Sequence, residues 1–405
     1  KAPGMNLDPF RALIGYMALL GIAALCSTNR RVISWRIVLW GIGLHGGMGL
    51  LVLTTTPGRR AVEAVSRVVV TILDQAQVGA RFLFGSKLID DLDTFGFIFA
   101  FKVLPTVIFV AALFAVLYYL RVMPWIVRGT AWVMARLMGT SGAESLNAVA
   151  AAMMGQTESP LTIRPYLDKL TRSELMTVMT SGMAAVAGSV LVAYFGTGAK
   201  PEHVLTAATM AIPASILFSK LFIPETETPE TLGVVRIAEV REDANLIDAA
   251  ARGTREGLTI ALALGSMLIA FLSLIALVNL GLAQVGLSLE GLLGQAFAPV
   301  AWMLGVPWGD AGSVGGLLGL RLVTNEIVAY EALQRAREML DPRSDAIATF
   351  ALCGFANLSS IGIQIGVVGG LAPQRRADLA RLGPRALLAA TLANLATGCV
   401  AGILV

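Results

Sequence analysis

Gly155-Gln156-Thr157-Glu158 and Thr324-Asn325-Glu326 are polar knots inside stretches otherwise apolar enough to dissolve in a membrane. Each is followed at a similar distance by a second break, Ala187-Gly188-Ser189 and Asn357-Leu358-Ser359-Ser360. A charged side chain at bilayer depth costs about 3 kcal/mol even on lenient insertion scales, so Glu158 and Glu326 read as functional residues. Four breaks in two pairs point to a polar cavity built at the middle of a bilayer.

The composition supports a membrane setting. Of 405 residues, 56% are hydrophobic and 14% charged, with a mean hydropathy of +0.73. A soluble globular chain carries roughly 25% charged residues, so an all-α polytopic membrane protein is expected. The net charge of +4 is spread over short loops, without a basic run suited to nucleic acid. Cys26, Cys353 and Cys399 are scattered in apolar segments and read as small buried hydrophobes, giving neither a disulfide framework nor metal spacing. His45 and His203 are too isolated to hold a metal, and His45, in the glycine-rich run 41–49, reads as a packed side chain. The apolar stretch Phe10 to Cys26 ends in Asn29-Arg30-Arg31, which marks an anchor rather than a cleaved leader. Residues 1–4, ahead of Met5, read as a cloning scar.

A helix needs about 20 apolar residues to cross the hydrocarbon. Eight stretches qualify: 9–27, 36–55, 97–121, 174–196, 202–223, 256–281, 345–370 and 384–405. The charged pattern of 59–84 suits an amphipathic helix lying at the interface, and 224–252 reads as a polar cytoplasmic loop. Arginines follow the first and third spans and lie between the last two, whereas 197–201 and 282–289 hold only Lys200; both termini are thus expected outside.

Two stretches, 141–171 and 310–341, do not read as simple spans. Each is long enough for two short helices but is cut by a polar tip, and a re-entrant hairpin is the economical solution. They also align. Thr171-Arg172-Ser173-Glu174 matches Pro342-Arg343-Ser344-Asp345, and the same offset of 171 sets Gly188-Ser189 on Ser359-Ser360. Gly139 precedes Glu144 by five residues, as Gly305 precedes Asp310, and with a three-residue gap Glu158 falls on Glu326. The extra helix 256–281 between the units makes the second enter from the opposite face, an inverted repeat of the kind secondary transporters use.

Broken helices supply unpaired N–H groups at one half and unpaired C=O groups at the other. Gln156, Thr157 and Glu158 together offer an amide, a hydroxyl and a carboxylate, which match the alternating edge of a uracil- or cytosine-like ring. Asn325, Glu326, Asn357 and Ser360 suit the hydroxyls of a sugar, and Phe355 offers a flat wall. Taken singly, these groups would serve helix packing or capping equally well; paired glutamates at equivalent repeat positions would not. Arg164 and Lys169 are expected to face the cytoplasm at the base of the first hairpin. A membrane-embedded enzyme with the glutamates as an acid/base pair is the alternative of another class, but no Ser/His or Cys/His pairing, metal cluster or phosphate loop supports it.

The stretches Gly155 to Leu167, Ala187 to Val190, Leu322 to Tyr330 and Gly354 to Gly362 resemble the signatures of concentrative nucleoside transporters. The resemblance runs from about residue 97 to the C-terminus. It implies a symporter of the bacterial inner membrane that takes up nucleosides, pyrimidine nucleosides such as uridine foremost, with sodium or a proton as coupling ion and no other cofactor. Gln156, Thr157, Glu158 and Val190 would face the base; Glu326, Asn357 and Ser360 would hold the ribose, with Phe355 nearby. A homotrimer is implied, with 5–123 and 253–283 as a fixed scaffold. Two moving units would work as an elevator: 124–223 (hairpin 141–171, helices 174–196 and 202–223) and 288–405 (hairpin 310–341, helices 345–370 and 384–405). The family's sodium site would map to Ala151, Met154, Ala185 and Val186. Alanine at 151 and 185 removes the amide and hydroxyl that sodium-coupled members use; some bacterial relatives use protons instead, and a proton-coupled nucleoside or nucleobase carrier is the alternative.

Overall fold

The structure, a computed structural model, describes residues 8–96, 98–233 and 243–405. Residues 1–4, expected to be a scar, and 234–242 of the polar loop lie outside it. Helices α1 (Asp8–Leu25) and α2 (Trp35–Thr54) lead into α3 (Thr56–Asp74) and α4 (Ala76–Phe84), which fill the expected interfacial stretch as two helices rather than one. After α5 (Phe99–Tyr119) come α6 (Val122–Met138), α7 (Gly142–Met154), a 3₁₀ segment (Ser159–Lys169), α8 (Arg172–Ala184), α9 (Gly188–Gly196) and α10 (Pro201–Phe222). The long helix α11 (Leu246–Leu282) precedes α12 (Leu289–Met303), α13 (Trp308–Val323), α14 (Glu326–Ala336), α15 (Pro342–Leu352), α16 (Leu358–Leu371) and α17 (Arg376–Leu404). Among the described residues α1, α2, α5, α10, α11 and α17 are long and apolar enough to cross a membrane, as a multi-pass chain requires.

All four polar breaks interrupt helices where the sequence places them. The tip after α7 turns at Gly155, whose φ of +94° is strained for any L side chain. Asn325 and Asn357 start the next helices by capping them: their side chains accept from the N–H of Val328 at 2.9 Å and Ser360 at 3.1 Å. Ser141 with Glu144, and Thr171 with Glu174, close capping boxes at the starts of α7 and α8.

Several boundaries differ from the sequence reading. The segment Ser159–Lys169, expected as the second limb of the first hairpin, is 3₁₀, because Pro160 and Pro165 remove N–H donors an α-helix would need. Helix α11 begins at Leu246 rather than 256. Asn245 caps it, and Arg252 pairs with Asp243 and Glu256 at 2.8 and 2.9 Å, so its first turns are polar but satisfied. The polar loop therefore ends at Asn245 rather than 252. Helix α17 likewise starts at Arg376 rather than 384, next to an Arg375–Asp378 pair. Helices α6 and α12 were not foreseen; each is followed closely by a glycine at positive φ, Gly139 (+76°) and Gly305 (+103°). Helices α12 and α13 fold back on each other with a 116° bend. Small residues permit this close approach: a Cβ added at Gly315 would lie 2.7 Å from the Ala298 nitrogen.

Helix α5 packs along α11, where Gly253 and Gly257 leave no room for a side chain against Ala111 and Ile108. Helices α1 and α2 pack instead on α17 and α10. Tyr16 Oη lies 3.0 Å from His45 Nδ1, and His45 Nε2 lies 3.1 Å from Thr397 Oγ1, all buried. The packed histidine expected from the sequence thus ties α1, α2 and α17 together.

Candidate functional site

The four breaks converge. The first tip packs against the break between α8 and α9: a Cβ on Gly155 would fall 2.7 Å from Ala187 Cβ, and one on Gly188 2.9 Å from the Met153 carbonyl oxygen. The second tip and the break between α15 and α16 close the other side. Between them lies a cavity of about 200 Å³. Gln156, Thr157, Glu158, Val190, Glu326, Phe355, Asn357 and Ser360 all line it, as do Asn325 and Ser359. Its remaining wall is apolar and comes from α11, through Ile260, Leu264, Met267 and Leu268.

A continuous polar chain crosses this cavity from the tip after α7 to the start of α14. Gln156 Nε2 donates to Ser360 Oγ at 3.2 Å, and Ser360 Oγ lies 3.1 Å from Asn357 Oδ1. Asn357 Nδ2 in turn donates to Glu326 Oε2 at 3.2 Å. Gln156, Ser360, Asn357 and Glu326 are buried, Glu158 is half-buried and Thr157 exposed. Glu326 is the first residue of α14, so its carboxylate sits at the positive end of that helix. Donors and acceptors along one edge, facing aliphatic side chains, suit a ligand with a polar rim and flat apolar faces.

The proposed cation ligands adjoin the first tip. Ala151, Ala185 and Val186 are buried and Met154 partly so. The Ala151 carbonyl accepts from the Gly155 N–H at 3.0 Å, and the Ala185 carbonyl from the Phe355 N–H at 3.2 Å. Each keeps one further lone pair. The side chains add no oxygen, and the Met154 thioether is a soft ligand. At most four carbonyls face the demand of a hard cation for about six oxygens, so these residues alone fit sodium poorly. Among the described residues no three His, Cys, Asp or Glu side chains cluster as a metal site.

Three buried polar residues at the site escaped the sequence reading. Gln364, 1% exposed, donates from Nε2 to Gln156 Oε1 at 3.3 Å and lies against Gly182. Asn394 donates to the carbonyls of Ala184 at 2.8 Å and Cys353 at 2.9 Å, so it clamps two breaks at once. Arg321 donates from Nη1 to the Ala351 carbonyl at 2.6 Å. Each is a lone polar residue in an apolar run, the same signal that singled out the glutamates.

Three sequence profiles match the chain in succession: "Na+ dependent nucleoside transporter N-terminus" over 14–87, "Nucleoside recognition" over 100–201 and "Na+ dependent nucleoside transporter C-terminus" over 203–402. The transporter YutK of Bacillus subtilis is 44% identical over 402 residues, 97% of this chain and 98% of that protein. Mouse solute carrier family 28 member 3 is 42% identical over all of this chain, which spans 60% of the mouse protein. Mouse sodium/nucleoside cotransporter 1 is 37% identical over 93% of this chain and 61% of its own. Among solved structures, CNTnw in an inward-facing substrate-bound state superposes with a TM-score of 0.94 at 39% identity, covering 99% of this chain and 98% of that one. An outward-facing CNTnw variant matches with the same TM-score and identity.

Proposed function

Because this chain belongs to the Na+-dependent nucleoside transporter family, we propose that it is a symporter driving uptake of pyrimidine nucleosides such as uridine, with cation entry, across the bacterial inner membrane. The observation that carries this reading is the buried chain Gln156–Ser360–Asn357–Glu326, set across the cavity from an aliphatic wall. Gln156, Thr157 and Glu158, with Val190, take the base. Glu326, Asn357 and Ser360 take the ribose hydroxyls, and Phe355 flanks the ring.

The helix α7 with its 3₁₀ continuation, and α13 with α14, act as two re-entrant hairpins of an inverted repeat. Supporting this, the order of six elements from α6 to α10 recurs from α12 to α17. An acid in the first turn of each hairpin, Glu144 and Asp310, supports it as well. Three copies assemble with one pathway each, and the hairpins carry the site across the membrane as an elevator. Cation and nucleoside together favour the closed arrangement; either alone leaves it less populated, so the half-loaded carrier moves poorly and the gradient does not leak.

Sodium is the coupling ion that the family's name supports. A proton is the second reading, favoured by one observation: Ala151 and Ala185 contribute no side-chain oxygen. Uptake of radiolabelled uridine into proteoliposomes, with a sodium or a proton gradient imposed separately, tests both. Accumulation above equilibrium under one gradient assigns the ion; none under either overturns the reading.

A further inference from the structure

We infer that Arg321 is a positioning residue, a cation fixed to the chain that braces the second hairpin tip against the break in the following helix. This rests on the transport reading above.

Arg321 is 1% exposed and lies on α13, four residues before Asn325 at the tip. Ala151 lies four residues before Gly155 at the tip of α7. The Arg321 guanidinium reaches across to α15 and α17, donating to the Ala351 carbonyl at 2.6 Å and to Asn394 Oδ1 at 3.3 Å. Ala351 is one residue from the end of α15. The last four carbonyls of a helix lack intrahelical donors and form its negative end, where a cation is most favoured. Asn394 extends the brace, since its amide nitrogen holds the carbonyls of Cys353 and Ala184, one at each broken helix.

The corresponding place in the first repeat lies between the end of α7 and the break after α8. It too has helix-end carbonyls, those of Ala151, Ala184 and Ala185, but residues 142–158 and 185–187 contain no Lys or Arg. A cation fixed to the chain is thus present at the second tip and absent from the first. Arginine suits the permanent role because its guanidinium does not deprotonate in proteins. Its charge also offsets Glu326, five residues on, in a setting where an unbalanced charge is costly. Among the described residues its Nε has no hydrogen-bond partner, so the group is held through Nη1 and by charge rather than by a saturated network.

The test compares Arg321→Lys and Arg321→Ala in the full chain, reconstituted in proteoliposomes. Arg321→Lys should keep uridine uptake within about fivefold, because it restores a cation, while Arg321→Ala should lose about 100-fold. Added guanidinium ion, at concentrations far below denaturing, should restore uptake by Arg321→Ala at least about tenfold. It should also raise the Tm of that variant without nucleoside present, and should change neither property of the unmodified protein. Uptake by Arg321→Ala close to that of the unmodified protein overturns the inference. So does an equal loss in Arg321→Lys without guanidinium rescue in Arg321→Ala, which would assign a packing role. If Arg321→Ala does not fold, the Lys variant decides, active for the brace and inactive against it. Failure of the unmodified protein to accumulate uridine would strike the transport reading instead, and the Tm response of Arg321→Ala separates the two.

Discussion

Replacing Glu326 with Gln keeps the shape of the side chain and removes its charge. Asn357 Nδ2 donates to Glu326 Oε2 at 3.2 Å, and a glutamine carbonyl oxygen accepts that bond as well, so the contact between α14 and α16 survives. The other face of the group changes. A carboxylate accepts on both oxygens and can meet two ribose hydroxyls with charge-assisted bonds; glutamine offers one neutral acceptor and one donor. A hydrogen bond to a charged group contributes about 1.5–3 kcal/mol, against about 0.5–1.5 for a neutral pair. Over two hydroxyls the difference is about 2–3 kcal/mol, and with tenfold per 1.4 kcal/mol uptake efficiency should fall roughly 30- to 150-fold. Initial rates of uridine uptake into proteoliposomes measure this, with 2′,3′-dideoxyuridine as the companion substrate. The dideoxy analogue lacks both hydroxyls, so Glu326→Gln should transport it as slowly as the unmodified protein does. Near-normal uridine uptake by the variant refutes the ribose assignment. An equal loss for the dideoxy analogue refutes the claim that Glu326 acts through the hydroxyls.

Gln364→Leu removes the donor that orients Gln156 Oε1 and should raise the uridine KM about tenfold. Competition by free uracil should weaken in parallel, since the base end is affected; unchanged KM with only a lowered Tm would sink this role. Gly155→Ala forces a Cβ to within 2.7 Å of Ala187 Cβ at a φ of +94°. Backbone strain and overpacking together should cost about 3 kcal/mol, read as a lower Tm in detergent; an unshifted Tm counts against the packing of tip on break.

The four breaks were legible because a polar residue in an apolar run is a strong departure, and because Asn325 and Asn357 cap the helices that follow. The helices around them were less so. Helix α6 mixes Trp125 and Trp132 with Arg128 and Arg136, and α12 is broken up by glycine and proline, so neither looks like a span. The starts of α11 and α17 carry charged turns that hydropathy assigns to loops, although Asn245, Arg252 and Arg375 find partners there. Arg321 is hard to single out in the sequence, where one arginine beside a polar tip does not differ from the arginines of the short loops. Its role depends on Ala351 and Asn394, which are 30 and 73 positions away, and spacing along the chain does not reveal that contact.

The resemblance places α1 and α2 with the fixed scaffold, but their contacts point elsewhere. Tyr16, His45 and Thr397 form a buried hydrogen-bonded line from α1 through α2 to α17. Arg11 donates to the carbonyls of Trp302 at 2.7 Å and Val306 at 2.9 Å, and a Cβ on Gly49 would meet Val400 Cγ1 at 2.5 Å. Under the proposed elevator motion, sliding this interface each cycle would unmake the three of these bonds that leave α1 and α2, at about 1 kcal/mol each, and strand buried polar groups at about 1–3 kcal/mol apiece. The face that α11 turns to the cavity is different: Ile260, Leu264, Met267 and Leu268 make no polar bond that sliding would break. Helices α1 and α2 should therefore ride with α10 and α17, with the sliding surface along α11. Gly49→Cys with Val400→Cys, in a background with Cys26, Cys353 and Cys399 replaced, puts a disulfide across the first interface. The oxidised protein should transport uridine at the reduced rate. Cysteines at Leu268 and Ala332, which pack on one apolar cluster formed by α11, α13 and α14, should stop uptake when joined by a cleavable bifunctional thiol crosslinker and restore it when the link is cleaved. If oxidation of the Gly49–Val400 pair halts uptake and reduction restores it, α1 and α2 belong to the scaffold after all.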